Sequence, residues 1–103
     1  MFPNRYRKEI PAKPDRVWVA DITFVRLMAG FAYLAIILDA CSRRVVGYAI
    51  SRQIDSQLTL AALDAAMASR RPKPGTCLHH SDQGSQYGSA AYRTALERYG
   101  LIG

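Results

Sequence analysis

Regular structure begins with the stretch Trp18-Val19-Ala20-Asp21-Ile22-Thr23-Phe24-Val25. Two sets of side chains alternate along it with a period of two, which predicts a β-strand. Asp21 is unusual there, because aspartate is disfavoured in strands and a carboxylate in an apolar setting needs a cation or hydrogen-bond donors. A bound divalent metal is one explanation. A carboxylate that faces an edge or a nearby loop is the other, and the strand taken alone favours it.

The rest of the chain predicts two more strands, a helix, a fourth strand and a second helix. The predicted elements are strands at Phe31–Leu38 and Val45–Ile50, a helix from Asp55 or Ser56 to about Arg70, a strand at Thr76–His80, and a helix between Ser89 and Gly100. The second strand is almost continuously apolar, which predicts a central strand covered on both faces. Leu101-Ile102 resembles the opening of a further strand.

Connection lengths predict how these elements join. Short links favour antiparallel hairpins among the first three strands, and the intervening helix allows a parallel crossover to the fourth. We therefore expect an α/β fold with a mixed sheet in which the fourth strand runs parallel to the first.

The composition is that of one small globular domain with a basic surface. The 103 residues are 50% hydrophobic and 21% charged, with a formal net charge of +6. Such a charge favours a polyanionic partner, although many basic domains bind nothing acidic. We divide the chain into a basic linker or arm at 1–15 and a domain at 16–103.

Nothing in the sequence predicts export or a membrane. The start of the chain is basic and contains prolines, and the longest apolar run, Phe31–Leu38, is too short to span a bilayer. Cys41 and Cys77 lack CxxC spacing, which is typical of reduced thiols in a cytoplasmic protein. We expect a soluble, cytoplasmic protein without membrane contact.

Asp82 is a second candidate carboxylate. It follows the fourth strand, where ligands gather in α/β sheets, although an aspartate placed before a glycine also serves to begin a turn. If the first and fourth strands are neighbours, Asp21 and Asp82 share a site that suits Mg²⁺ or Mn²⁺. Two-metal phosphoryl transfer commonly uses three or more carboxylates, so these two alone leave the site short of ligands.

Four blocks of sequence resemble the integrase-type core of bacterial insertion-sequence transposases, in that family's order. They are Trp18–Thr23, Tyr33–Asp39, Ser42–Tyr48 and His80-Ser81-Asp82-Gln83-Gly84-Ser85-Gln86-Tyr87, the last being similar to the family's second-aspartate signature. The resemblance covers nearly all of 16–103. It implies a ribonuclease H-like fold, incomplete at the C-terminus, and a D-D-E triad that binds divalent metal.

The resemblance assigns roles to individual residues. It implies that Asp21 and Asp82 are the two catalytic aspartates and ligands of Mg²⁺ or Mn²⁺. It places Asp39, Arg43 and Arg44 in the scaffold or on a DNA-facing surface.

Residues around the signature are further candidates for contacts with nucleic acid. His80, Gln83 and Gln86 are placed to contact DNA, although histidines at a strand end are more often structural and an ordinary polar loop explains the glutamines equally well. The Tyr and Trp side chains fall on core-facing stripes, so we interpret them as packing residues rather than base-stacking platforms.

The triad's glutamate is expected on a later helix. Only 21 residues follow Asp82, and Glu97, the one acid among them, is interpreted as a solvated side chain. We therefore expect a transposase fragment that is weak or inactive alone. Its parent catalyses metal-dependent DNA strand cleavage and strand transfer, acts on transposon ends and target DNA, and assembles with itself or with full-length transposase.

Two alternatives remain open at this stage. One is a non-catalytic module that binds nucleic acid or a transposase. The other is a stand-alone metal nuclease, which needs a further carboxylate from among Asp39, Asp55, Asp64 and Glu97.

Overall fold

A computed structural model describes residues 14–81, 87 and 89–103. The strands in this part are β1 (Val17–Leu27), β2 (Gly30–Asp39), β3 (Val45–Ser51) and β4 (Leu78–Ser81), and the helices are α1 (Ser56–Arg70) and α2 (Ala90–Tyr99). Their order is the predicted one. No helix within the described residues is long and apolar enough to cross a bilayer. Residues 1–13 of the predicted arm lie outside the described part, and the division at residue 15 stays a prediction.

The four strands form one mixed sheet in the order β3-β2-β1-β4. β2 pairs antiparallel with both β1 and β3, whereas β4 runs parallel to β1. Beyond β4, Ile102 forms a parallel bridge with Leu78, and its amide donates to the Cys77 carbonyl at 3.0 Å. The predicted mixed sheet is confirmed, and Leu101-Ile102 begins strand pairing as expected.

The core lies between one face of the sheet and the two helices. Alternation places Trp18 and Ala20 of β1 on the same face as Ala35 and Ile37 of β2, and all four are fully buried. The helices cover them with Leu58, Ala62, Leu63, Ala66, Met67, Tyr92 and Leu96. The apolar side chains of both helices therefore face the sheet.

The opposite face of the sheet is less covered than the sequence suggested. β2 is central, as predicted, but Leu34, Ile36 and Leu38 are only half-buried there. On β3, Tyr48 and Ile50 of the same face are 63% and 54% exposed. The prediction that both faces of β2 are covered is thus wrong for the described residues. An apolar run makes both faces of a strand apolar, but it does not supply a second layer of structure to cover them. The interpretation of every tyrosine as a packing residue is likewise wrong for Tyr48.

Side-chain caps fix the start of each helix. The Asp55 carboxylate accepts a hydrogen bond from the Leu58 amide at 3.1 Å, which decides between the two predicted caps of α1. Ser89 caps α2 in the same way, by accepting from the Tyr92 amide at 3.2 Å. Gly100, with φ of 78°, ends α2 as predicted.

Asp39 belongs to the scaffold. Its carboxylate is fully buried and accepts hydrogen bonds from the backbone amides of Asp15, Cys41 and Ser42 at 3.2–3.4 Å and from the Ser42 hydroxyl at 2.8 Å. Asp15 in turn pairs with Arg70 at 3.0 Å. These contacts fasten the entry to β1 onto the turn between β2 and β3 and onto the end of α1.

The two cysteines carry free thiols, in agreement with the sequence. Cys77 is buried immediately before β4, and burial raises the pKa of its thiol to about 12. The thiol is therefore inert as a nucleophile at neutral pH.

Gly47 of β3 allows α1 to lie directly against the sheet. A Cβ atom there would meet the Ala62 carbonyl oxygen and the Ala66 amide nitrogen, each at 2.5 Å. Both are backbone atoms of α1, so no side-chain rotation relieves the clash. The helix would have to move outward.

We predict that Gly47→Ala lowers the free energy of unfolding by about 1–3 kcal/mol or more, because the added methyl overpacks a contact with rigid backbone. Urea unfolding should show a lower midpoint with an unchanged slope. Gly103→Ala is the matched control, since a Cβ there lies 3.6 Å from Leu96, an ordinary contact. Equal midpoints for the two variants would show that the β3–α1 contact tolerates the methyl.

Candidate active site

Asp21 lies in β1 on the face of the sheet opposite the helices, and its side chain is exposed. Its Oδ1 atom accepts a hydrogen bond from the Ile22 amide at 2.8 Å. Within the described residues no basic side chain forms an ion pair with it. Exposure removes the desolvation cost that made this aspartate unusual in sequence, so the strand tolerates it without a metal. Exposure also leaves carboxylate oxygen open to a cation.

The pairing of β1 with β4 brings the neighbourhood of Asp82 to Asp21. The parallel register joins Val17 to Leu78 and ends with Ala20 opposite Ser81. Asp21 follows Ala20 within β1, and in the sequence Asp82 is the residue that comes after Ser81. Asp82 itself lies outside the described residues, as do Gln83 and Gln86.

Tyr87 connects the far end of the signature segment to Asp21. Its ring is buried, and its hydroxyl donates a hydrogen bond to the Asp21 backbone carbonyl at 2.8 Å. Burial raises the pKa of Tyr87, and the negative charge of Asp21 raises it further. Ser81, which pairs with Ala20, and Tyr87, which binds the Asp21 carbonyl, therefore both lie beside Asp21.

The sequence did not reveal this role of Tyr87. The interpretation of the tyrosines as packing residues is confirmed for the buried ring of Tyr87, but it gave no partner for the hydroxyl. The signal available was the aromatic ring itself, since a large apolar group at the end of a polar loop commonly anchors the loop in the core.

Three buried side chains, His79, Tyr87 and Tyr92, pack together in the core next to the site. His79 Nε2 lies 2.7 Å from the Tyr92 hydroxyl, and the two tyrosine rings meet edge to face with centroids 5.1 Å apart. Burial lowers the pKa of His79 to about 4, with a smaller contribution from His80. His79 is therefore a neutral packing residue at physiological pH, which agrees with the structural interpretation of this histidine.

The described DNA-contact candidates occupy two places. His80 pairs with Val19, one residue before the end of the β1–β4 register, and shares the sheet face of Asp21. Arg43 and Arg44 are exposed in the turn between β2 and β3, beside the start of β1. Four residues of β1, about 13 Å, separate that turn from Asp21. The structure thus brings His80 close to the first aspartate and leaves the arginines at the end of the sheet.

The other carboxylates have their own surroundings. Asp39 is buried in its turn, Asp55 caps α1, Asp64 accepts a hydrogen bond from Tyr99 at 2.6 Å, and Glu97 is exposed on α2. No three or more His, Cys, Asp or Glu side chains in the described part are grouped to hold a metal. Asp39, Asp55 and Asp64 are thus already engaged by other groups of the described part.

The family model described as Integrase core domain matches residues 11–101. The chain belongs to this family. The matched range contains β1 to β4, both helices and both candidate aspartates.

Two curated relatives of this integrase core domain are bacterial transposases. The transposase for insertion sequence element IS629 of Shigella sonnei is 43% identical over 96 residues, which are 93% of this chain and 32% of the relative. The transposase InsF for insertion sequence IS3A of Escherichia coli strain K12 is 40% identical over 90 residues, which are 87% of this chain and 31% of the relative. The chain therefore spans about a third of the length of these relatives.

Solved structures show the fold of the domain. The HTLV-2 integrase catalytic core domain in complex with magnesium matches with a TM-score of 0.74 and 20% identity, over 88% of this chain and 59% of that one. A simian T-cell lymphotropic virus intasome matches with a TM-score of 0.78 and 20% identity, over 89% of this chain and 32% of that one. The described part thus has the ribonuclease H-like fold that the resemblance implied.

We predict that the free energy of unfolding falls as the pH drops from about 6.5 to 4, because unfolding frees His79 to take a proton that burial disfavours. The neutral His79 contributes its full stabilisation at pH values above 6.5, the ordinary pKa of histidine that applies in the unfolded chain. At pH 5 the loss relative to pH 7.5 should be about 2 kcal/mol. Urea unfolding at the two pH values measures it.

His79→Gln is the matched control, because glutamine can still bond to the Tyr92 hydroxyl but does not titrate in this range. The variant should lose most of the difference between pH 7.5 and pH 5. An unchanged difference would assign the acid sensitivity to other groups.

Proposed function

We propose that this chain forms part of the active site of a DNA transposase, in which Asp21 and Asp82 hold a divalent metal for DNA strand cleavage and strand transfer. The observation that carries the proposal is the β1–β4 register, which ends one residue before each aspartate. The two transposase relatives support the reaction class. Asp21 serves as a ligand from the exposed face, and the Tyr87 hydrogen bond to its carbonyl positions its backbone.

The donor set fits Mg²⁺ or Mn²⁺, as far as the described residues show it. These ions take oxygen ligands and keep several waters, and Asp21 offers a solvent-facing carboxylate without a competing ion pair in the described part. When bound, the ion would stabilise negative charge developing on the phosphate. The magnesium named with the HTLV-2 integrase core supports this choice of cation.

Basic and polar groups around the site would bind the DNA. We assign phosphate contacts to Arg43 and Arg44 in the β2–β3 turn and to His80, Gln83 and Gln86 near the aspartates. The net charge of +6 favours such binding and predicts that it weakens with salt. We also propose that the chain acts in the cytoplasm and as an oligomer, with itself or with a longer transposase. The trimeric form named with the HTLV-2 integrase core supports the oligomer.

Metal binding provides the first test. Titration of Mn²⁺ into the 103-residue chain, followed by the electron paramagnetic resonance of the free ion, should give an affinity that falls about tenfold or more in Asp21→Asn and in Asp82→Asn. Glu97→Gln, which removes an exposed acid on α2, should change it less than about twofold. Equal affinities in the two aspartate variants and the parent chain would refute the metal site.

A chimera tests the reaction itself. The homologous stretch of the IS629 transposase, 43% identical over 96 residues, would be replaced by this chain's sequence and assayed for strand transfer on transposon-end DNA. Asp21→Asn or Asp82→Asn should abolish transfer, whereas Glu97→Gln should preserve it. Salt-dependent DNA binding that persists in Asp82→Asn, together with an inactive chimera, would instead support the non-catalytic DNA-binding module.

A further inference from the structure

The far end of the β1–β2 hairpin carries a stack of aromatic side chains. The rings of Phe24 and Phe31 are stacked, with centroids 4.7 Å apart and an angle of 14° between their planes. Tyr33 lies against Phe24 at 5.3 Å, and the Arg26 guanidinium lies 5.7 Å from the centre of the Phe31 ring. We call Phe24, Arg26, Phe31 and Tyr33 the hairpin-tip cluster. Alternation places all four on the helix-facing side of the sheet, near the hairpin turn.

The rings of this cluster remain open to solvent. Phe24 is 57% exposed and Phe31 is 46% exposed, whereas the core aromatics Trp18 and Tyr92 on the same side of the molecule are fully buried. Met28, in the turn itself, is fully exposed as well. Cross-strand aromatic pairing stabilises a hairpin, but it does not require this much exposed ring surface. Grouped aromatic exposure of this kind is typical of a binding surface.

The charge around the cluster is positive. Arg26 makes the cation–π contact with Phe31, and Arg52 donates to the Ala29 carbonyl at 3.2 Å, so both arginines are fixed at the tip. In the sequence between Asp21 and Asp55 the single acid is Asp39, which is buried in the turn at the other end of β2. Within the described residues neither arginine forms an ion pair. Their charge is therefore available to a polyanion.

The cluster is within reach of a strand bound at Asp21. Phe24 follows Asp21 by three residues in β1, which is about 10 Å along the strand. That distance corresponds to a few nucleotides of a single strand. Since the two side chains are on opposite faces of the sheet, the strand would pass around the hairpin edge to reach both.

We propose that the hairpin-tip cluster binds unpaired nucleobases of DNA, with a base stacking on Phe24 and Phe31 and the phosphates lying against Arg26 and Arg52. The proposal rests on the proposed function in that DNA is the substrate, and it adds a site for single-stranded DNA outside the metal centre. Rings combined with arginines are the chemistry that binds single strands without sequence preference. Exposed rings alone would fit a protein partner equally well, and the uncompensated arginines decide for the nucleic acid.

The test compares single-stranded with duplex DNA. Fluorescence anisotropy would measure the binding of a labelled pyrimidine oligonucleotide, and of the same sequence as a duplex, to the 103-residue chain. Phe24→Leu/Phe31→Leu keeps apolar volume at the tip and removes the stacking surface. We expect it to weaken single-strand binding about tenfold or more and duplex binding less than about twofold. Tyr48→Leu, at an exposed tyrosine on the other face, is the matched control and should change neither.

A second variant gives a direct signal and does not depend on the leucine variant remaining folded. Phe31→Trp keeps a stacking ring, and because Trp18 is buried the new indole dominates any quenching by DNA. The single strand should quench its emission, and the duplex should quench it far less.

Four results would overturn the proposal. The first is an unchanged single-strand affinity in the folded leucine variant, and the second is an equal loss of affinity for single strand and duplex. The third is an indole emission that DNA does not quench. The fourth is a self-association that the leucine variant abolishes while single-strand binding persists. The last would assign the cluster to a second copy of the chain. If the unsubstituted chain bound neither form of DNA, the DNA-binding part of the proposed function would fail along with this one. Duplex binding that survives while the tip variants have no effect would refute the tip alone.

Discussion

The parallel pairing of β1 with β4 is the constraint on which the candidate site depends. This pairing makes β1 an interior strand, and Trp18 is buried between the sheet and the helices. The register of the pairing ends at Ala20 and Ser81. The pairing in turn requires α1 to cross over the sheet, and Gly47 allows that helix to lie close to β3. Packing far from Asp21 therefore holds β4, and with it Ser81, beside the strand that carries Asp21.

Hydrogen bonding and burial then hold the site in place. Tyr87 fills the core beside Tyr92 and His79, and its hydroxyl binds the Asp21 carbonyl, so the core is linked directly to the backbone of Asp21. No buried side-chain polar atom in the described part lacks a hydrogen-bond partner. A satisfied buried cluster of this kind is rigid, and catalysis by positioning needs such rigidity beside the proposed metal ligand Asp21. At the other end of β1, the buried carboxylate of Asp39 holds the start of the strand in place through its hydrogen bonds.

Periodicity predicted the elements well because each one buries a single stripe or face against the same core. The alternation of Trp18, Ala20 and Ile22 is enough to predict β1, and the stripe that contains Tyr92 and Leu96 is enough to predict α2. Three features escaped this reasoning. The continuous apolar run of β2 specified two apolar faces but not whether a second layer covers them. The need for glycine at position 47 arises from the backbone of α1, which is distant in sequence. The hydrogen bond of Tyr87 joins residues 66 positions apart. Family resemblance supplied the roles of Asp21 and Asp82, which spacing alone left open.

The most direct test of the account measures whether the two aspartates meet. Asp21→Cys and Asp82→Cys, introduced together with Cys41→Ser, should form an intramolecular disulfide under mild oxidation, because neighbouring positions on paired strands satisfy the Cα separation of about 4.4–6.8 Å that a disulfide requires. Asp21→Cys combined with Glu97→Cys in the same background should stay reduced. A folded Asp21→Cys/Asp82→Cys protein that forms no more disulfide than this control would contradict the shared metal site.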